Sequence, residues 1–318
     1  MSLKTRVTEL LNIEYPIIQG GLAYLAYADL AAAVSNAGGL GQITAMSLQN
    51  PEELRKEIRR ARTMTDKPFG VNFAIGQHGR PFEQMVKVAI EEKVPVISVT
   101  GGNPKGVLDL IHGHDIKKLV LVAAARQAEK AEELGADAVM VVGQEGGGHL
   151  GRGDVGSFIL TPQVAERVTI PVIASGGIVD GRGLMAALSL GAEGIEMGTR
   201  FIATKETQAH TNYKQAILDA AETDTVVIKR SIGAPARALR NEWTEHILEI
   251  EKQEAGYDSL KEYISGKANQ KYINEGDATE GFGWAGQSAA RIHDLPTVQT
   301  LIQRIIKEAE AIKDKWSN

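Results

Sequence analysis

The 318-residue chain contains no cysteine. That absence excludes disulfides, zinc–thiolate centres, iron–sulfur ligation and thiol nucleophiles together. It also lacks a long basic run and carries a net charge of −5, which argues against nucleic acid as a partner. No apolar run is long enough to span a membrane. The opening segment, "MSLKTRVTELLN", is charged and amphipathic, unlike a secretory signal. A cytoplasmic protein with no membrane partner is the expectation. The length exceeds that of a usual single domain, so one large domain with an appendage is expected. A hydrophobic content of 43% suffices for a sizeable core.

What is present is a rhythm. Short apolar runs ending in small or polar residues alternate with helix-patterned stretches. The candidate strands are "PIIQ" (16–19), "GLGQI" (39–43), "FGVNF" (69–73), "PVISV" (95–99), "LVLVA" (119–123), "AVMVV" (138–142), "PVIAS" (171–175) and "GIEMG" (194–198). Between them lie helical patterns such as 28–37, 51–62, 126–135 and 181–191. Near-continuous apolar strands alternating with helices imply a parallel sheet buried on both faces. Eight such units fit an α/β fold of the (β/α)8 TIM-barrel type. A doubly wound sheet is the alternative, because periodicity does not tell whether the sheet closes. The rhythm stops near Phe201. Residues 1–205 are therefore read as the barrel and 206–293 as a smaller, mainly helical second domain. The last stretch, 294–318, reads as a helix packing back on the barrel through Val298, Leu301, Ile302, Ile305 and Ile306.

In a parallel barrel the site lies at the C-terminal ends of the strands. Those ends carry Gln19-Gly20-Gly21, Thr44, Asn72, Thr100-Gly101-Gly102, Gln144 to His149, Ser175-Gly176-Gly177 and Gly198-Thr199. Any one glycine reads as an ordinary turn; together they suggest backbone lying close to a flat, polar ligand. The seventh and eighth strands end in "ASGGIVDGRG" and "MGTRF", where barrels often bind phosphate through backbone N–H groups and a helix N-terminus. The stretch "GQEGGGHLGRGD" (143–154) sets one histidine among six glycines. It matches G-x-G-x-x-G literally, yet no helix start follows, so a Rossmann reading is rejected. The remaining histidines show no metal-ligand spacing, and no catalytic metal is expected. His112 and His114 read as surface residues.

The segments "PIIQGG", "AAAVSNAGGLG", "KPFGVN", "EGGGHLG", "VIASGGIVDGRG" and "GAEGIEMGTRFIATKE" resemble the nitronate monooxygenases, formerly 2-nitropropane dioxygenases. That family is related to flavin-dependent enoyl-ACP reductases and to NADH:quinone reductases. The resemblance is close over residues 10–205 and looser beyond. It implies FMN across the barrel mouth. Gln19, Gly20 and Gly21 would back the isoalloxazine ring. Asn72 and Gln144 would contact its polar edge, and Gly176, Gly177, Gly198 and Thr199 would hold the phosphate. Thr100, Gly147, Gly148, Ser175 and Met197 complete the candidate cofactor-binding set. His149 would stand over the flavin on the substrate side, as the catalytic residue that takes a proton, holds an anion or donates to an enolate.

One departure is visible. Many relatives carry a lysine or histidine near the end of the fifth strand, where this chain has Leu121 and Ala123. The element "GWAGQSAA" (283–290) resembles nitronate monooxygenases and makes Tyr272 and Lys271 counterparts of a substrate-lining pair. "GGGHLG" with "FILTPQV" also resembles reductases that act on thioesters. Arg152, Lys229, Arg230, Arg237 and Arg240 either form a basic entrance for such a substrate or are plain solvated charges. Three readings stay open: oxidation of alkyl nitronates with dioxygen, an NAD(P)H-dependent reductase of an enoyl-thioester or quinone, and a flavin-binding protein with incidental turnover. The first is preferred. Its partner is a small-molecule substrate, and a homodimer is compatible with the sequence.

Overall fold

The computed structural model describes residues 3–76, 81–253 and 256–316. In chain order the elements are α1 (Arg6–Leu11), β1 (Ile17–Gln19), α2 (Ala28–Asn36), β2 (Gly41–Thr44), α3 (Pro51–Met64), β3 (Phe69–Ala74), α4 (Glu83–Glu91), β4 (Val96–Thr100), α5 (Lys105–Leu110), β5 (Lys117–Val122), α6 (Ala125–Glu133), β6 (Ala138–Val142) and β7 (Gly148–His149). Then follow α7 (Ser157–Ala165), β8 (Val172–Ser175), α8 (Gly181–Ser189), β9 (Gly194–Met197), α9 (Thr199–Ile202), α10 (Thr211–Asp219), β10 (Thr225–Ile228), β11 (Ala236–Leu239), α11 (Glu242–Glu251), α12 (Tyr257–Leu260), α13 (Gly266–Ile273) and α14 (Val298–Trp316).

Eight strands form one parallel sheet in the order β1-β9-β8-β6-β5-β4-β3-β2. The order never reverses, and a parallel bridge between Ile18 and Leu40 joins the two outer strands. The sheet is therefore a closed (β/α)8 barrel, and the doubly wound alternative is excluded. The expected strands lie within two residues of the observed ones. Helix starts follow local chemistry. Asn50 accepts the Glu53 N–H (3.0 Å) ahead of Pro51, and Asp180 accepts the Gly183 N–H (3.0 Å).

Ile18, Leu40, Val96, Leu119, Met140 and Ile173 form one buried cluster drawn from alternate strand positions, which fills the barrel interior. Val7 and Leu11 of α1 join it, closing the N-terminal end. Each such side chain contributes about 1.5–3 kcal/mol by leaving water. A second layer lies between strands and helices. α14 packs chiefly on α8, with Val298, Leu301, Ile302, Ile305 and Ile306 all buried.

Residues 206–293 hold the expected helices and something that periodicity did not signal. β10 and β11 pair antiparallel, and β11 also pairs with β7, which belongs to the barrel loop after β6. This small sheet ties the glycine-rich loop to the second region. Among the described residues, no helix is long and apolar enough to cross a membrane.

Candidate active site

A cavity of about 1610 Å³ opens at the C-terminal ends of the barrel strands. That exceeds the roughly 300–1,000 Å³ typical of a site for one small ligand. Its floor is strand-end backbone: Gly20 and Gly21 after β1, Gly176 and Gly177 after β8, Gly198 after β9. Thr100, Gly147, Gly148, His149, Ser175, Met197 and Thr199 also line it. The floor at Gly21 is bare of necessity. A Cβ there would stand 2.3 Å from Asn72 Oδ1.

Asn72 lines the cavity from β3. Its Nδ2 donates to Ser98 Oγ (2.9 Å), while its buried Oδ1 has no partner among the described residues. That oxygen packs against Gly21, and the missing side chain of the glycine leaves the floor flat enough for a ring. The phosphate side fits as well. Gly286 N–H donates to Thr199 Oγ1 (2.9 Å), which leaves the Thr199 hydroxyl hydrogen free to donate.

Two expected contacts are not in the lining. Gln19 is fully buried and spent on the barrel seam. Its Oε1 accepts the Gln42 N–H (2.9 Å), its carbonyl accepts Gln42 Nε2 (2.8 Å), and its own Nε2 donates to the Gly20 carbonyl. Gln144 donates to Asp154 Oδ1 (2.6 Å), and its carbonyl accepts from Arg237. Tyr272 and Lys271 also miss the cavity. Tyr272 packs on Tyr213 with ring centroids 5.2 Å apart, and Lys271 pairs with Glu275 and Glu280. Tyr213 does line the cavity, its hydroxyl donating to the Trp284 carbonyl (2.6 Å).

His149 stands in the cavity wall, in register with Ala236 of β11. The residue is exposed in the open cavity, with Lys229 and the Trp284 ring packed beside its imidazole. Burial, and then the charge of Lys229, push its pKa down to about 4. Lys229 Nζ lies 2.9 Å from His149 Nε2 and 5.8 Å from the Trp284 ring centroid. Of the five candidate entrance cations, Arg152 and Lys229 line the cavity. Arg230 pairs with Asp154, Arg240 with Glu245, and Arg237 is buried against Gln144 and Thr225. Leu121 of β5 and Ala123 just after it contribute only apolar lining, while Arg126, Lys130, Arg152, Lys229 and Lys261 bring positive charge to the cavity.

Sequence reasoning missed Glu196 and Trp284, both in the lining. Glu196 interrupts the apolar run "GIEMG", a signal that was available. Its burial raises its pKa, opposed by a hydrogen bond with Ser175. His112 and His114 are exposed, and His210, His246 and His293 lie outside the cavity.

The sequence profile of nitronate monooxygenase matches residues 4–80 and 74–308. The chain belongs to the nitronate monooxygenase family. Members of this family are flavin-dependent oxidoreductases, and this chain is an oxidoreductase of that kind. It is 33% identical to a probable nitronate monooxygenase of Staphylococcus saprophyticus, over 99% of this chain and 100% of the other. It is similar in structure to FabK from Thermotoga maritima, with a TM-score of 0.92, 42% identity, and coverage of 99% and 98%. A nitroalkane oxidase from Streptomyces ansochromogenes gives a TM-score of 0.85 at 28% identity, covering 98% of this chain and 99% of that one.

Proposed function

We propose that this family member binds FMN and oxidises alkyl nitronates with dioxygen, as a cytoplasmic enzyme. The observation that carries the reading is the pair His149 and Lys229 in the cavity wall. A nitronate is already an anion, so the site need not remove a proton from carbon. An ammonium beside a neutral imidazole suits such a substrate, because it offers positive charge and N–H donors. Asn72, Gly20 and Gly21 would receive the flavin ring, and Gly176, Gly177, Gly198 and Thr199 its phosphate. FMN supplies the redox chemistry when bound, taking electrons from the substrate and passing them to dioxygen. FMN is favoured over FAD because the sequence offers one candidate phosphate site, at the seventh and eighth barrel strands, and no recognisable second nucleotide-binding unit. Oxygen uptake on adding propane-2-nitronate, with no nicotinamide present, tests the reading; no uptake with the flavin-loaded enzyme would refute it.

A second reading is an NAD(P)H-dependent reductase of an enoyl-thioester or quinone. The identity of 42% with FabK, above that with the nitronate monooxygenase of S. saprophyticus, favours it. So does the size of the cavity, whose lining includes Arg126, Lys130, Arg152 and Lys261.

A further inference from the structure

We infer that Lys229 is a positioning residue for His149: it holds the imidazole neutral with its proton on Nδ1, and so selects anionic substrates over neutral carbon acids. The substrate half of this inference rests on the proposed function; the side-chain half does not.

Both partners are held independently. The backbone of His149 is pinned in β7 by its pairing with β11, and Leu150 N–H donates to the Pro235 carbonyl (2.9 Å). Lys229 follows β10 with φ +67°, a left-handed conformation that is unfavourable for a residue other than glycine. The bend is fixed by its N–H donating to Glu251 Oε2 (2.9 Å) and by the Ala234 N–H on its carbonyl (3.1 Å). The result is a lysine only 8% exposed, with Trp284 beside both its ammonium and the His149 ring.

Burial lowers the Lys229 pKa and the nearby Glu251 opposes that shift. A charged Lys229 has donors and no acceptor, so at 2.9 Å it makes His149 Nε2 the acceptor and puts the ring proton on Nδ1. Protonating the ring would place two cations in contact, partly out of water. With Lys229 charged and the ring neutral, the pair carries one positive charge. Other charged groups in the neighbourhood are Arg152 on the same loop, Arg237 on β11 and Glu251 on α11. Arg152 donates to the Gly233 carbonyl, Arg237 to Gln144 and Thr225, and Glu251 accepts from the Lys229 and Ser231 backbone. Among the described residues Lys229 is the charge that acts on the ring. With Nε2 occupied and the ring hard to protonate, His149 offers a donor to an anion and little basicity to a C–H bond.

The test is a ring-nitrogen NMR titration of histidine-labelled, flavin-loaded protein, with the His149 signal assigned from His149→Ala. In the parent, His149 should show the Nδ1–H signature and stay neutral down to about pH 4. In Lys229→Met its midpoint should move up, raising proton affinity at least tenfold, whereas Lys229→Arg should keep it low. A parent His149 that titrates near the ordinary histidine value, or a midpoint unmoved by Lys229→Met, overturns the inference. Should Lys229→Met fail to fold, Lys229→Gln repeats the titration with the same two outcomes. Kinetics then read selection: the nitronate-to-nitroalkane ratio of kcat/KM should fall at least tenfold in Lys229→Met and survive in Lys229→Arg. An unchanged ratio removes the selection. Since the titration uses no substrate, absent nitronate turnover with a coupled pair refutes the proposed function and supports the pairing.

Discussion

His149 is the strand partner of Ala236. The residues belong to different parts of the molecule, one to the loop after the sixth barrel strand and one to the region beyond the barrel. The loop is therefore not a free βα turn. Its end is the third strand of a small antiparallel sheet, and that sheet also delivers Lys229 to the cavity. The barrel supplies the floor of the cavity, and the second region fixes the His149 loop in its wall.

His149→Ala should keep the flavin, because the proposed ring and phosphate contacts come from other strands. With nitronates the loss should fall mainly on KM. A lost charge-assisted hydrogen bond is worth about 1.5–3 kcal/mol, or roughly 10–100-fold, and Lys229 remaining in place favours the lower end. Steady-state kinetics decide. A fall in kcat of about 100-fold with KM unchanged would make His149 a proton-transfer group instead.

Gly198→Val tests the phosphate cradle most cleanly. Gly198 has no left-handed backbone, and a Cβ there would come no closer than 3.3 Å, to Leu22 Cδ2. The barrel should fold, while flavin affinity falls at least tenfold as side-chain bulk enters the cavity. Gly177→Val should also lose flavin, but its φ of +78° adds backbone strain. Flavin affinity equal to the parent's in Gly198→Val, measured by equilibrium titration, would remove Gly198 from the cradle.

Glu196 should leave a mark on the pH dependence of stability. Its folded pKa is raised by burial, so the fold favours its protonated form. Its stabilisation is complete below the ordinary carboxylate range and is lost as pH rises through the raised value. Glu196→Gln keeps the shape and removes the titration. Between pH 5 and 8, Tm of the flavin-free parent should fall relative to that of the variant. Parallel Tm profiles would place Glu196 in a solvated setting.

The barrel was legible because nearly every strand is a short apolar run ending in glycine or a small polar residue, and those ends gather in one place. Most of the floor followed from that, including Gly20, Gly21, Asn72, Gly176, Gly177 and Gly198. Gln19 is absent from the cavity lining, because residue type at a strand end does not tell which way the side chain turns; here it bridges to Gln42 across the closure. The Lys229–His149 contact spans 80 residues and rests on a two-residue strand inside a glycine run. No local periodicity signals such a pairing. "TVVI" and "ARAL", four residues each, were too short to tell strands from helix fragments.

Nitronate oxidation is tested most directly by anaerobic mixing of the flavin-loaded enzyme with propane-2-nitronate, NADH or NADPH in turn, following the yellow absorbance. Nitronate should bleach the enzyme within its turnover time, and neither nicotinamide should. Bleaching by NADH or NADPH, with none by nitronate, would contradict nitronate oxidation and establish the reductase reading instead.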